Sequence, residues 1–115
     1  MARKINYKIP RSQRREVLQN ALISIIGNKA KVHYEPPENV KLDYPCILFF
    51  RDRIIVEKAD NKSYITKTRY KITYIDNDPD SENIDKILSS IRGVTYGDHY
   101  VADGLHHDVF YTNEY

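Results

Sequence analysis

From Tyr64 to Tyr74 the chain keeps a period of two, with Tyr64, Thr66, Thr68, Tyr70, Ile72 and Tyr74 on one side and Lys67, Arg69 and Lys71 among the residues between them. Successive side chains of an extended chain point to opposite faces, and no helix gives this period. The segment is predicted as a strand with one aromatic, β-branched face that belongs in a core. Its other face is largely cationic and belongs at a surface or an interface. A half-buried strand needs partners in a sheet, so the rest of the chain has to supply them.

Lys31 to Tyr34 reads as a short strand cut off by Pro36 and Pro37. Tyr44 to Phe50 or Arg51 reads as a longer one with apolar residues on both faces. Arg53 to Glu57 is rich in β-formers but charged at both ends, which fits a strand or an extended loop. Asp60-Asn61-Lys62 reads as a turn. Near the C-terminus, His99 to Tyr111 is predicted as a hairpin turning at Asp103-Gly104. Val17, Leu18, Ala21, Leu22, Ile25 and Ile26 recur at helical spacing, with Ser12 as the expected cap and Gly27-Asn28 as the stop. Asp78-Pro79-Asp80-Ser81 ends the central strand and caps a second helix. That helix carries Ile84, Ile87, Leu88 and Ile91 on its apolar side and ends at Gly93. The order is α-β-β-β-α-β-β, which predicts an α+β fold: a mainly antiparallel sheet with two helices packed on one face. At 115 residues this is one domain, able to bury a single core without disulfides or metals.

The net charge of +2 hides an asymmetry. Residues 1–75 hold sixteen basic and seven acidic side chains, a net of +9, whereas residues 76–115 hold two and nine, a net of −7. Residues 1–11 form a basic N-terminal arm, and the six basic residues between Arg3 and Arg15, with no acid among them, suggest a mobile or surface-lying segment. Such a division fits nucleic-acid binding by the first half, a fold that mixes the two halves, or a subunit whose one surface attracts the opposite surface of its neighbour. On the third reading Arg11, Arg14 and Arg15, with Lys67, Arg69 and Lys71, face a neighbour's acidic loop of Asp76, Asp78, Asp80 and Glu82. The chain has ten tyrosines, three phenylalanines and no tryptophan, a composition suited to half-wet protein contacts. Tyr64, Tyr70 and Tyr74 are expected in the core, and Tyr7, Tyr96 and Tyr115 nearer the surface. No apolar run approaches the length of a membrane span, and the N-terminus has no apolar leader segment, so a cytosolic setting, or a particle assembled in one, is expected.

Catalytic chemistry is not legible. The four glycines form no phosphate loop or dinucleotide fingerprint, and no nucleophile elbow or zinc-protease helix is present. The single cysteine, Cys46, lies in an apolar run and reads as a small buried hydrophobe. His99, His106, His107 and Asp108 are the one candidate metal constellation. Adjacent His106 and His107 point to opposite faces of a strand, so surface or interface histidines are the preferred reading. Asp76, Asp78 and Asp80 begin like a calcium loop, but the following glycine and the distal glutamate that such a loop requires are missing and Pro79 stiffens it. The expectation is a binding protein, not an enzyme, with no metal or other cofactor.

Several stretches together resemble a known family. These are Tyr44-Pro45-Cys46-Ile47; Ala59-Asp60-Asn61 with Tyr64; Arg69-Tyr70 running through Thr73 to Asp76; Asp78-Pro79-Asp80-Ser81; and the run from His99 to Phe110. In order and spacing they are similar to the small tail-terminator, or tail-completion, proteins of long-tailed bacteriophages, over roughly Tyr44 to Phe110. The resemblance implies a structural virion protein with a fold like that of tail-tube subunits. It implies a ring, hexameric in that family, that caps the tail tube at its head-proximal end and docks to the head connector. DNA would pass through the lumen of such a ring without specific binding. A head-completion or stopper subunit of the same neck is the alternative within virions. A small nucleic-acid-binding module using the basic arm is the alternative outside them.

Overall fold

The first helix, α1 (Arg11–Ile26), is entered through Pro10, whose carbonyl accepts from the backbone N–H groups of Gln13 and Arg14 at 2.9 and 3.1 Å. Ser12 therefore lies inside the first turn and caps nothing, contrary to the sequence expectation: proline, with φ already near the helical value, begins the helix two residues earlier. Arg11 thus belongs to α1 and not to an arm. The computed structural model describes residues 9–59 and 63–114. Most of the basic arm (residues 1–8), the turn expected at 60–62, and Tyr7 and Tyr115 lie outside the described residues, as does the Tyr64 side chain. Gly27 closes α1, donating its N–H to the Ile23 carbonyl at 2.7 Å.

A 3₁₀ turn at Lys29–Lys31 leads into β1 (Val32–Tyr34). The two strands that follow, β2 (Cys46–Ala59) and β3 (Ser63–Asp76), are fourteen residues each. Then come α2 (Glu82–Ser90), β4 (Thr95–Ala102) and β5 (Leu105–Asn113). The sheet order is β1-β2-β3-β5-β4. Only β1 with β2 is parallel, and the remaining pairs are antiparallel. The α+β class and the element order expected from sequence are both present. The β4–β5 turn at Asp103 and Gly104 has φ of 54° and 76°, the left-handed pair that a two-residue hairpin of this type requires.

Register explains where the core lies. Ile47 and Phe49 of β2 stand opposite Tyr74 and Ile72 of β3, and Ile72 stands opposite Phe110 of β5. With Tyr70 they make one continuous apolar face, covered by Leu18 and Leu22 of α1 and Ile87 of α2, all at most 1 % exposed. Both helices therefore pack on the same face. Tyr34, Phe49 and Tyr70 meet at centroid distances of 4.8 and 5.9 Å in tilted and edge-on pairs, the arrangement ring quadrupoles favour. Val17 was expected on the core stripe but is 49 % exposed, because α1 turns only Leu18 and Leu22 fully inward.

Arg53 to Glu57, ambiguous in sequence, continues β2. Asp52 is an extra residue between the pairs Arg51–Tyr70 and Arg53–Arg69, a β-bulge that resets the alternation. Before it, Phe50 shares a face with Lys71; after it, Ile54 shares the helix-side face with Thr68. The neighbouring strands stop early: β1 pairs with β2 only to Phe49, and β5 pairs with β3 only from Arg69. Residues 53–59 and 63–68 thus form a two-stranded ribbon beyond the body, and the molecule measures 50 × 24 × 23 Å.

Candidate protein-interaction site

The cationic residues at the start of α1 turn back onto the protein's own sheet. Arg11 Nε donates to Thr68 Oγ1 at 3.0 Å. Arg14 Nη1 pairs with the Glu114 carboxylate and donates to the Thr66 carbonyl at 3.3 Å; the two charged side chains are only 11 % and 6 % exposed. The Arg15 guanidinium lies 4.1 Å from the centroid of the Tyr34 ring. These three were expected to face a neighbour across a surface. Instead Arg11 holds the Thr68 side chain, Arg15 covers Tyr34 of β1, and Arg14 closes the edge of β3 with Glu114, which also takes the Thr68 N–H at 2.8 Å and gives its own N–H to the Thr68 carbonyl at 2.7 Å. Glu114 organises this corner. It was not foreseen, because its partners stand 46 and 100 residues away and carry no local signature.

On the opposite sheet face, Arg69 is held at 3.2 Å by Asp52, the bulge residue, and lies 4.6 Å from the Tyr111 ring centroid. Tyr111 in turn covers Gly97, where any Cβ would come within 2.6 Å of the ring. Lys71 is half-buried on this face and Lys67 is exposed. Of the six cationic candidates, Lys67 is the one whose side chain stands out in solvent.

The acidic loop divides in the same way. Asp76 is 7 % exposed and accepts from the Tyr74 hydroxyl at 2.6 Å and from the Asp78 N–H at 3.2 Å, so it is a structural group and not the contact residue expected. Asp78 accepts from the Asp80 N–H at 2.9 Å, and Asp78, Asp80 and Glu82 are exposed. Ser81 caps α2 through the Asn83 N–H, as the sequence suggested. Burial, and then the adjoining Asp76 carboxylate, pushes the Tyr74 phenol up to about 12.

The hairpin histidines separate by strand alternation. His99 Nε2 and His106 Nδ1 stand 3.0 Å apart with ring centroids at 5.3 Å, so these rings meet end to end through one hydrogen bond. His107 lies on the other face, stacked on Tyr100 at 4.6 Å. Asp108 is buried and accepts from the Tyr96 hydroxyl at 2.6 Å. Among the described residues no group of three or more His, Cys, Asp or Glu is placed to hold a metal ion. Cys46 is fully buried, and burial pushes its thiol up to about 11, away from nucleophilic use. An open groove of about 640 Å³ runs between α1 and the foot of the ribbon, lined by Val17, Ile65, Lys67 and the Arg14–Glu114 pair. Arg14 and Glu114 neutralise each other there.

What remains outward is an edge and a ribbon. All eight residues of β4 are exposed, among them Tyr96, Tyr100 and Val101 at 47, 45 and 55 %, and β4 is the last strand of the sheet. At the far end Ile54 and Val56 are 37 and 55 % exposed. No helix among the described residues is long and apolar enough to cross a membrane. No protein-family model matches the chain, and no curated protein matches its sequence.

Proposed function

We propose that the chain is a structural subunit of a long-tailed phage virion, a tail terminator that forms a ring at the head-proximal end of the tail tube and docks to the head connector. The observation that carries this reading is the placement of charge along β3. Exposed Lys67 lies near the ribbon end, and exposed Asp78, Asp80 and Glu82 follow the other end of the same strand. Lys67 and Asp76 are nine residue steps apart along the strand, about 30 Å at the rise of an extended chain. Opposite charges so far apart cannot satisfy each other within one molecule. They suit a head-to-tail contact between copies, which closes into a ring when the rotation allows. The exposed tyrosine-rich edge of β4 supplies unpaired backbone and amphipathic side chains for a neighbour. Intramolecular use of Arg11, Arg14 and Arg15 speaks against a nucleic-acid patch built on these three, since a phosphate-binding patch needs free guanidinium groups.

The test uses electron microscopy of the chain mixed with tail-tube protein. Wild type is expected as rings at one end of tubes of defined length. Asp78→Lys with Asp80→Lys should leave the fold intact and abolish capping, giving overlong tubes. Tubes capped equally well by this variant, or never capped by wild type, would overturn the reading.

A further inference from the structure

The distal edge of β2 is open where the corresponding edge of β3 is not. On the other side of the ribbon, the edge of β3 is closed by Arg14 and Glu114 through the backbone of Thr66 and Thr68. Beyond Phe49, no described strand pairs with the outer edge of β2. The closed edge also fixes the hydrogen-bonding parity. Thr68 aims its N–H and C=O away from β2, so its partner Ile54 aims its own away from β3. Ile54, Val56 and Lys58 therefore present the open backbone groups.

We propose that two copies of this chain pair antiparallel through this edge, about a two-fold axis at Ile55. Only registers that set outward-facing residues against each other form the ladder. With Ile55 opposite its own copy, Ile54 faces Val56 in hydrogen-bonded pairs, and Arg53 faces Glu57 on both sides of the axis. Moving the axis to Ile54 puts Arg53 opposite Ile55, and moving it to Val56 puts Ile55 opposite Glu57. Both lose the two ion pairs and set a charge against an apolar residue. The chosen register gathers Ile54 and Val56 of both copies on one face of a four-stranded ribbon, covering side chains that are 37 and 55 % exposed in the single chain. Charged residues on an edge ordinarily discourage pairing with other chains. Here the order Arg53-Ile54-Ile55-Val56-Glu57 lets one partner through, a second copy of itself. The contact uses the opposite end of the molecule from Asp78 and Asp80, so it is independent of the ring reading. Combined with ring closure it would stack two rings ribbon to ribbon.

Sedimentation equilibrium on the isolated chain tests this. Wild type is expected to dimerise. Arg53→Glu and Glu57→Arg should each weaken the dimer about tenfold or more, since each turns two attractive pairs into repulsive ones. The double variant should return to within about threefold of wild type, the signature of direct pairing. Both positions are exposed, so melting temperatures unchanged in dilute protein, where no dimer forms, separate lost association from lost folding. Ile55→Cys should form an inter-chain disulfide on oxidation, because facing residues of a non-hydrogen-bonded pair have Cα atoms about 4.5 Å apart, within disulfide reach. Val56→Cys, two positions from its own copy, should not. A wild-type chain that stays monomeric at millimolar concentration overturns the proposal. So does a dimer indifferent to both reversals, a double variant without recovery, or an Ile55→Cys dimer that does not cross-link. Asp78→Lys with Asp80→Lys should leave this dimer intact, so failure of the ring reading and failure of the ribbon contact are separately visible.

Discussion

Strand β3 lives in two environments. From Tyr70 to Asp76 it lies between two strands and under two helices, and every residue there except Lys71 is buried. From Ile65 to Lys67 it pairs with β2 alone, and none of those residues is buried. The alternating pattern runs through both halves without a break. Period alone therefore specifies extended structure, while burial is decided by how far the neighbouring strands reach. The Tyr70–Asp76 half, the root of the ribbon, is where folding free energy is stored. The ribbon is where association is available, since no other described element completes the burial there.

The sharpest way to break this contrast is at the junction. Arg14→Glu sets two carboxylates together at a site only 11 and 6 % exposed, and breaking a pair buried to that extent costs about 3–5 kcal/mol. Thermal or urea unfolding checks the loss, and Arg14→Glu with Glu114→Arg should recover part of it. The sequence alone places Arg14 in a surface arm, where the same change would cost within ~0.5 kcal/mol. A small effect would put the boundary between root and ribbon further into the sheet than the pairing places it. Next in size, Leu22→Ala removes a fully buried side chain beneath α1, with an expected loss of about 2–5 kcal/mol in the same measurement.

How legible these regions were follows from the range of the interactions involved. Elements were readable where the determinant is local: the period of β3, the Asp103-Gly104 turn, the Ser81 cap of α2. α1 starts two residues before the place its sequence suggests, because Ser12 is a good cap and Pro10 is a better beginning. Arg53 to Glu57 looked ambiguous because the bulge at Asp52 shifts the phase, and a bulge has no signature until its partner strand is known. The fate of the arginines depended on Glu114, which only the folded chain brings near. Charge counts identified what is ionised but could not tell Arg69, tied to Asp52, from Lys67, which is exposed.

A smaller effect appears in alkali. The Tyr74 phenol, ordinarily near 10.0, is pushed up to about 12 by burial and the neighbouring Asp76. The folded state thus holds a proton that the unfolded chain has already released. Its contribution to stability is full below about pH 10 and is lost as pH rises towards 12. Tyr74→Phe should flatten the fall of melting temperature over that window. An unchanged slope would mean that the root is wetter than its packing implies.

The smallest expected effect is the most exacting for the comparison. Val56→Ala removes two methyl groups from a side chain already 55 % exposed in the single chain. Its cross-strand partner is Thr66, and beyond β3 at that height no strand follows. Little apolar area returns to water in the monomer, so dilute protein should lose no more than ~0.5 kcal/mol. Were the ribbon part of the folding core, the same truncation would cost several times more, because a cavity would add to the lost transfer energy. Concentration separates the two cases. In dilute protein the melting temperature should match wild type, and a gap should open only as copies associate and cover the site. A difference that is large and independent of concentration would make the ribbon an extension of the root.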